Sequence, residues 1–360
     1  MPESTRATHR RWLETLTDLP TASGREQIVS DWVMAWADRR GFRSRRDEAG
    51  NVFLHSRQRS RRRPIVAVAH MDHPALVVVE AGATEAMTEL RGGVLAPYLD
   101  SVRLDVTTRN GPVPGRVLEF DSDAGRALIA ARGTGPGDIA QWHFAPGRLG
   151  FRNGRLAARA CDDLAGVAAS LVALDLAAAR GFRHLSVLLT RAEEVGFVGA
   201  IAAAKLGTIP DGARVLSIEC SPASADAPVG AGPVVRVGDA ASIFSADLTN
   251  RVSTLLRDSG VAYQRKLMAG GSCEATALAA LGIDATGLCL PLRYHHNMVD
   301  VAAVATGSRR ARLAPEEIDL GDFQGLVDLL LAVTAGLDSQ KQVLPFSLED
   351  IYAEQRHLLV

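Results

Sequence analysis

Apolar runs that end abruptly in polar residues set the rhythm of this chain. IVAVAHMD (residues 65–72), LSVLLTR (185–191), VLSIE (215–219) and ATGLCL (285–290) are continuous apolar stretches of strand length, a pattern that suits sheet strands covered on both faces. Segments with helical spacing alternate with them, at 164–179 (stopped by Gly181), 197–206, 241–257, 272–281 and 323–337. The first forty-odd residues also predict helix. Ser23 and Glu26 have capping-box spacing, and Ile28, Val29, Trp32, Val33 and Trp36 follow at helical intervals. Residues 51–55 predict a strand, and the Arg-rich stretch 57–63 a solvated connector.

Between residues 74 and 153 the texture changes. Short alternating segments such as VRLDVTTR, RVLEF and RALIAAR are separated by Gly, Pro and two Asn-Gly signals, Asn110-Gly111 and Asn153-Gly154. Such punctuation predicts a small antiparallel unit built of hairpins. The expected fold is therefore α/β, a mostly parallel sheet sandwiched by helices, with an inserted small β-barrel-like domain. The expected division is 1–74 and 153–360 for the two parts of the main domain and 75–152 for the insert.

Composition narrows the class. The chain has 360 residues, more than one compact core usually holds. Forty basic and 41 acidic side chains leave a formal charge of -1, and no basic stripe suggests a nucleic-acid partner. The opening MPESTRATHRRW lacks the apolar core of a secretory signal, and the greasy stretch 164–179 is too short to span a bilayer, so no membrane partner is expected. Four cysteines (161, 220, 273 and 289) show no CxxC pairing. They indicate neither a disulfide framework nor a zinc knuckle, and they suit a reducing cytoplasm.

Candidate chemistry collects where the apolar runs stop: His70 and Asp72, Glu193 and Glu194, Glu219, then His295 and His296, with Asp162 and Asp163 opening a helix. Taken singly, each has a plain structural explanation: a satisfied strand-end histidine, a helix cap, an acidic first turn. Glu219 is the hardest to explain so, because a carboxylate ending an apolar strand is costly unless paired or metal-bound. Together they fall where the carboxyl ends of strands meet in an open α/β sheet, the usual ligand crevice. Imidazoles and carboxylates without a thiolate pair suit Zn, Co or Mn.

AHMD, ACDDLAG, RAEEVGFVGA, IEC, AGGSCEATALAALGI and RYHHNMVDV occur in the order found in the tetrahedral, or glutamyl (deblocking), aminopeptidases of the zinc-dependent exopeptidase superfamily, and the chain resembles that family over nearly its whole length. The resemblance implies two divalent cations per chain. His70 and Glu219 would hold one and Glu194 and His296 the other, with Asp162 bridging. It assigns Glu193 as general base, and it places Asp72 against the His70 imidazole to fix its tautomer. It further implies a peptide substrate and a homo-oligomer, and gives the insert to assembly and access. Three departures stand out: His73-Pro74 after HMD in place of Glu-Val-Gly, Glu219 where Asp is common, and Gly270-Gly271-Ser272-Cys273 in place of Gly-Gly-Thr-Asp. They open an alternative, carboxypeptidase or aminoacylase chemistry on an N-acyl amino-acid-like substrate. Two other readings compete. A nucleophilic hydrolase using Ser272 or Cys273 with His296 lacks the G-x-S-x-G elbow. A non-catalytic metal-binding scaffold would have no need of Glu193.

Overall fold

The computed structural model describes residues 3–341 and 343–359. Eight strands form the central sheet in the order Arg43–Arg46, Val52–His55, Leu185–Thr190, Ile65–His70, Arg214–Pro222, Asp284–Leu292, Val234–Asp239, Gln264–Met268. The four from Leu185–Thr190 to Asp284–Leu292 are mutually parallel, so their carboxyl ends open on one edge. Alternation along Ile65–His70 explains its unbroken apolar run. Ile65, Ala67 and Ala69 pack into a core shared with the helices Leu164–Ala179 and Leu320–Gly336, while Val66 and Val68 pack on the opposite face with Ala200, Ala203 and Leu278. The helix Leu164–Ala179 is buried almost all round, which is why its sequence shows no polar face.

Six antiparallel strands between Ala75 and Trp142 close into a barrel, lined by Leu76, Val78, Leu104, Val106, Ile129 and Trp142. A third sheet pairs Gly150–Arg152, Arg155–Ala158 and Glu316–Asp319. Its hairpin turns at Asn153-Gly154, both with positive φ.

Several local expectations change. The amino-terminal helical region is two helices, Glu3–Asp18 and Gln27–Arg39. Ser23 and Glu26 do not form a capping box. The second helix has no side-chain cap, because the Ser23 hydroxyl donates to Asp72 and Glu26 accepts from the Gly24 and Ala192 amides and from Arg191. The helix expected from residue 241 starts at Ala246 with Ser245 as its cap. Asp239 accepts from the Ala241 and Ser242 amides and holds the preceding segment in a turn. The strands Val234–Asp239 and Gln264–Met268 lie outside the sequence reading; Gln264–Met268 alternates half-buried and exposed positions and offers no apolar run.

Candidate metal centre

The parallel strand ends deliver the predicted residues to one buried cluster. His70 closes its strand, and its Nδ1 donates to the Asp72 carbonyl oxygen at 3.1 Å. Nε2 faces the other side, 3.3 Å from Asp162 Oδ1 and 3.4 Å from Glu219 Oε1. His296 is arranged likewise: Nδ1 donates to the Gly93 carbonyl at 2.7 Å, and Nε2 lies 3.1 Å from Glu194 Oε2 and 3.7 Å from Asp162 Oδ2. Asp162 thus turns one oxygen to His70 and the other to His296. Glu193 stands beside them, its Oε2 4.0 Å from His70 Nε2.

Asp72 lies against the His70 imidazole and does more besides. The imidazole contact runs through its backbone carbonyl, and its carboxylate sits 3.5 Å from His70 Nδ1. That carboxylate also accepts from the amides of Glu193 (3.0 Å) and Glu194 (3.1 Å) and from Ser23 Oγ (2.6 Å). It thereby ties the loop after Leu185–Thr190 to the end of Ile65–His70.

Three further residues belong to the site. Glu316 is fully buried and accepts the amides of Cys161 (2.7 Å), Asp162 (3.0 Å) and His296 (2.8 Å). His73 donates from Nδ1 to the Asp162 carbonyl at 2.7 Å, and its Nε2 lies 3.3 Å from Asn297 Oδ1. His295 stacks on His296 with ring centroids 3.7 Å apart, and its Nε2 lies 3.0 Å from Asp162 Oδ2. Of these, His295 and His73 stood out in the sequence, the first in the HH pair and the second as a departure from the family pattern. Glu316 did not, since it stands in APEEIDL among ordinary surface-type residues.

The donor set suits divalent cations. Asp162 Oδ1 and Glu194 Oε1 are buried without a hydrogen-bond partner, a costly state for ionised oxygens. Burial, reinforced by the Asp162 charge, pushes the Glu219 carboxyl up to about 8. Glu193 is raised as well, by burial first and then by Glu219 and Glu194. Burial acts to lower the His296 imidazole, but Glu194 and Asp162 outweigh it and raise it to about 10. The groups that could coordinate an ion fall within reach of one another as His70, Asp162 and Glu219, as Asp162, His295 and His296, and as His70, Glu193 and Glu194. Burial above all pushes the Cys273 thiol up to about 12, against its use as a thiolate nucleophile. His296 is committed to Gly93 and the carboxylates rather than to Ser272 or Cys273. Beside the cluster opens a cavity of about 670 Å³, with Glu193, Glu219, Arg236 and Gly271 on its wall.

Comparison with known proteins agrees with this fold. An aminopeptidase from the archaeon Desulfurococcus kamchatkensis superposes with a TM-score of 0.74 at 23% identity, over 94% of this chain and 98% of that one. A TET aminopeptidase from a marine-sediment archaeon of the Thaumarchaeota gives a TM-score of 0.75 at 19% identity, over 96% and 99% of the two chains. A Pyrococcus horikoshii TET peptidase gives 0.72 at 23% identity, over 91% and 99%. No curated protein matches the chain in sequence. The profile of the M42 glutamyl aminopeptidases matches residues 120–313, more than half of the chain, and with the fold and the cluster it places this protein in the M42 glutamyl aminopeptidase family, as a metal-dependent aminopeptidase.

Proposed function

We propose that the chain is a dinuclear aminopeptidase in which His70 and Glu219 hold one divalent cation, Glu194 and His296 hold the other, and Asp162 bridges them. The observation that carries this reading is the division of Asp162, with Oδ1 toward His70 and Oδ2 toward His296. Zinc, cobalt or manganese matches the nitrogen and oxygen donors. Such a pair, when bound, supplies a polarised scissile carbonyl and a water of lowered pKa. Glu193, which is not needed as a ligand, takes the proton of the attacking water on its carboxylate and delivers it to the leaving amine. Asp72 positions Glu193 and Glu194 through their amides, and Glu316 does the same for Asp162 and His296.

The substrate is a short peptide with a free amino terminus, seated in the cavity beside the cluster. Residues 75–152 form the insert and residues 1–74 with 153–360 the catalytic unit, and the insert takes part in assembly. The Pyrococcus horikoshii peptidase assembles into a tetrahedron or a large octahedral shell, which supports a homo-oligomer here. The four cysteines, all buried and unpaired, support a cytoplasmic setting. Among the described residues no helix is long and apolar enough to cross a membrane.

The test is to strip the protein with chelator, reload it with zinc, cobalt or manganese, and measure bound metal and peptide turnover together. Two ions per chain with restored turnover are expected. Full activity without stoichiometric metal would overturn the reading.

A further inference from the structure

His295 is left over from the five-residue ligand set, yet it stands inside the cluster. It opens the turn His295–Asn297 that follows the strand Asp284–Leu292. In an extended segment two consecutive imidazoles would point to opposite sides. Here Tyr294, His296 and Asn297 all take positive φ (60°, 52° and 63°), a costly backbone for residues other than glycine, and both rings swing to the same side. They stack with their planes 23° apart. Each brings Nε2 to Asp162 Oδ2, at 3.0 Å for His295 and 3.7 Å for His296, so His295 is the nearer of the two. One ligand atom from each of Asp162, His295 and His296 lies within 4.8 Å of the others, close enough to share one cation. His70 and His296 have Nδ1 held by backbone carbonyls. Nδ1 of His295 has no acceptor among the described residues, so the ring's proton can reside there while Nε2 coordinates. The side chain is 31% exposed and lies on the wall of the cavity.

We propose that His295 Nε2 is a further ligand of the cation held by Glu194 and His296. The proposal rests on the dinuclear reading of the cluster and adds to it. The two metal positions then differ in kind: the one at His70 has a single imidazole among carboxylates, and the one at His296 has two. Imidazole donors favour zinc and cobalt, whereas carboxylate-rich sites accept manganese. The position at His296 should therefore hold zinc tightly and reject manganese, and the position at His70 should discriminate less.

Zinc and manganese are titrated into metal-free wild type and His295→Gln against a chromophoric chelator. Glutamine can still donate to Asp162 Oδ2, but its amide is a poor ligand, so the variant separates coordination from hydrogen bonding. Wild type is expected to take up two zinc ions. In His295→Gln one of the two zinc constants should weaken by more than about 100-fold, beyond the loss that follows removal of a residue that merely orients a ligand, and the manganese constants should move less. In His295→Gly, whose gap opens on the cavity, added imidazole should restore the lost zinc. A His295→Gln variant within 100-fold of wild type in both zinc constants, or a His295→Gly variant that imidazole fails to restore, would overturn the proposal. A crystal structure of the zinc-loaded wild type answers the same question without any variant. It should place Nε2 about 2.0–2.1 Å from zinc, and a ring that stays on Asp162 instead speaks against coordination. Uptake of fewer than two ions by wild type removes the dinuclear reading and this proposal with it, whereas two bound ions with His295 unligated remove this proposal alone.

Discussion

Asp72 and Glu316 are buried carboxylates that hold the proposed ligands by their backbones rather than binding metal themselves. Asp72 accepts two amides at Glu193 and Glu194, and Glu316 accepts three at Cys161, Asp162 and His296. In Glu316→Gln one acceptor oxygen becomes an NH₂ that faces a backbone N–H. Metal affinity should then drop by about 10- to 100-fold, the range for residues that orient ligands. Competition titration against a chelator measures this, and an unchanged dissociation constant would reduce Glu316 to a packing residue. Glu193→Gln should behave oppositely, keeping its metal while turnover falls by about 10²- to 10⁴-fold. Metal content and rate measured on the same sample separate the two outcomes. The five proposed ligands were legible in the sequence because each is a polar residue at the end of an apolar run or the start of a helix. Glu316 was not, since its meaning depends on a contact spanning 154 positions. Ser23 and Glu26 misled for a related reason: capping-box spacing is local, but both side chains are claimed by partners far along the chain.

At the scale of elements, the segments around the cavity are anchored by few contacts, and those contacts can be titrated. Asp239 accepts from the amides of Ala241, Ser242 and Cys273 and from the Thr276 hydroxyl at 2.6 Å, joining two loops to the helix Glu274–Ala280. Burial acts to raise its pKa, but these donors, led by Thr276, hold it below the ordinary carboxylate value. A carboxyl depressed in the folded state contributes stability that is fully present above its unfolded pKa and lost as pH falls through its folded one. Asp239→Asn should therefore cost about 1–3 kcal/mol near neutrality. The gap from wild type should narrow below about pH 4 in denaturant melts run across pH. A gap that stays constant into acid would mean that the charge on Asp239 contributes nothing. A second anchor joins the barrel to the site. From Asn297 the chain makes an excursion closed by the Met298–Leu313 bridge, and it returns where the Ala314 amide donates to the Asn297 carbonyl. Met298 and Val304 lie in the barrel core, Tyr98 donates to the Val299 carbonyl at 2.5 Å, and Gly93 receives His296 Nδ1. The insert therefore contributes directly to the site in addition to the part in assembly and access that the resemblance implied. Hairpin texture revealed the barrel, but the excursion shows no periodicity that would assign it there.

At the scale of the whole molecule, the proposed ligands come from chain positions spread from His70 to His296, so bound metal pins distant segments together. Stripping it should lower the thermal midpoint reversibly. A ligand at 100 times its dissociation constant adds about 2.7 kcal/mol of stability to the folded state. Calorimetry with and without chelator measures the change, and identical midpoints would mean that the cluster is formed as well without metal as with it. The parallel heart of the sheet was readable because burial on both faces writes unbroken apolar runs. The outer strands Arg43–Arg46 and Gln264–Met268 alternate or are wholly polar, and only their neighbours identify them. The excursion through the barrel has a consequence for biosynthesis. The barrel strands leave the ribosome by Trp142, yet Met298 and Val304, which complete their core, are made more than 150 residues later. Over that interval the barrel core lacks Met298 and Val304. It stands as a client for chaperones until the chain that carries His296 also arrives to seal it.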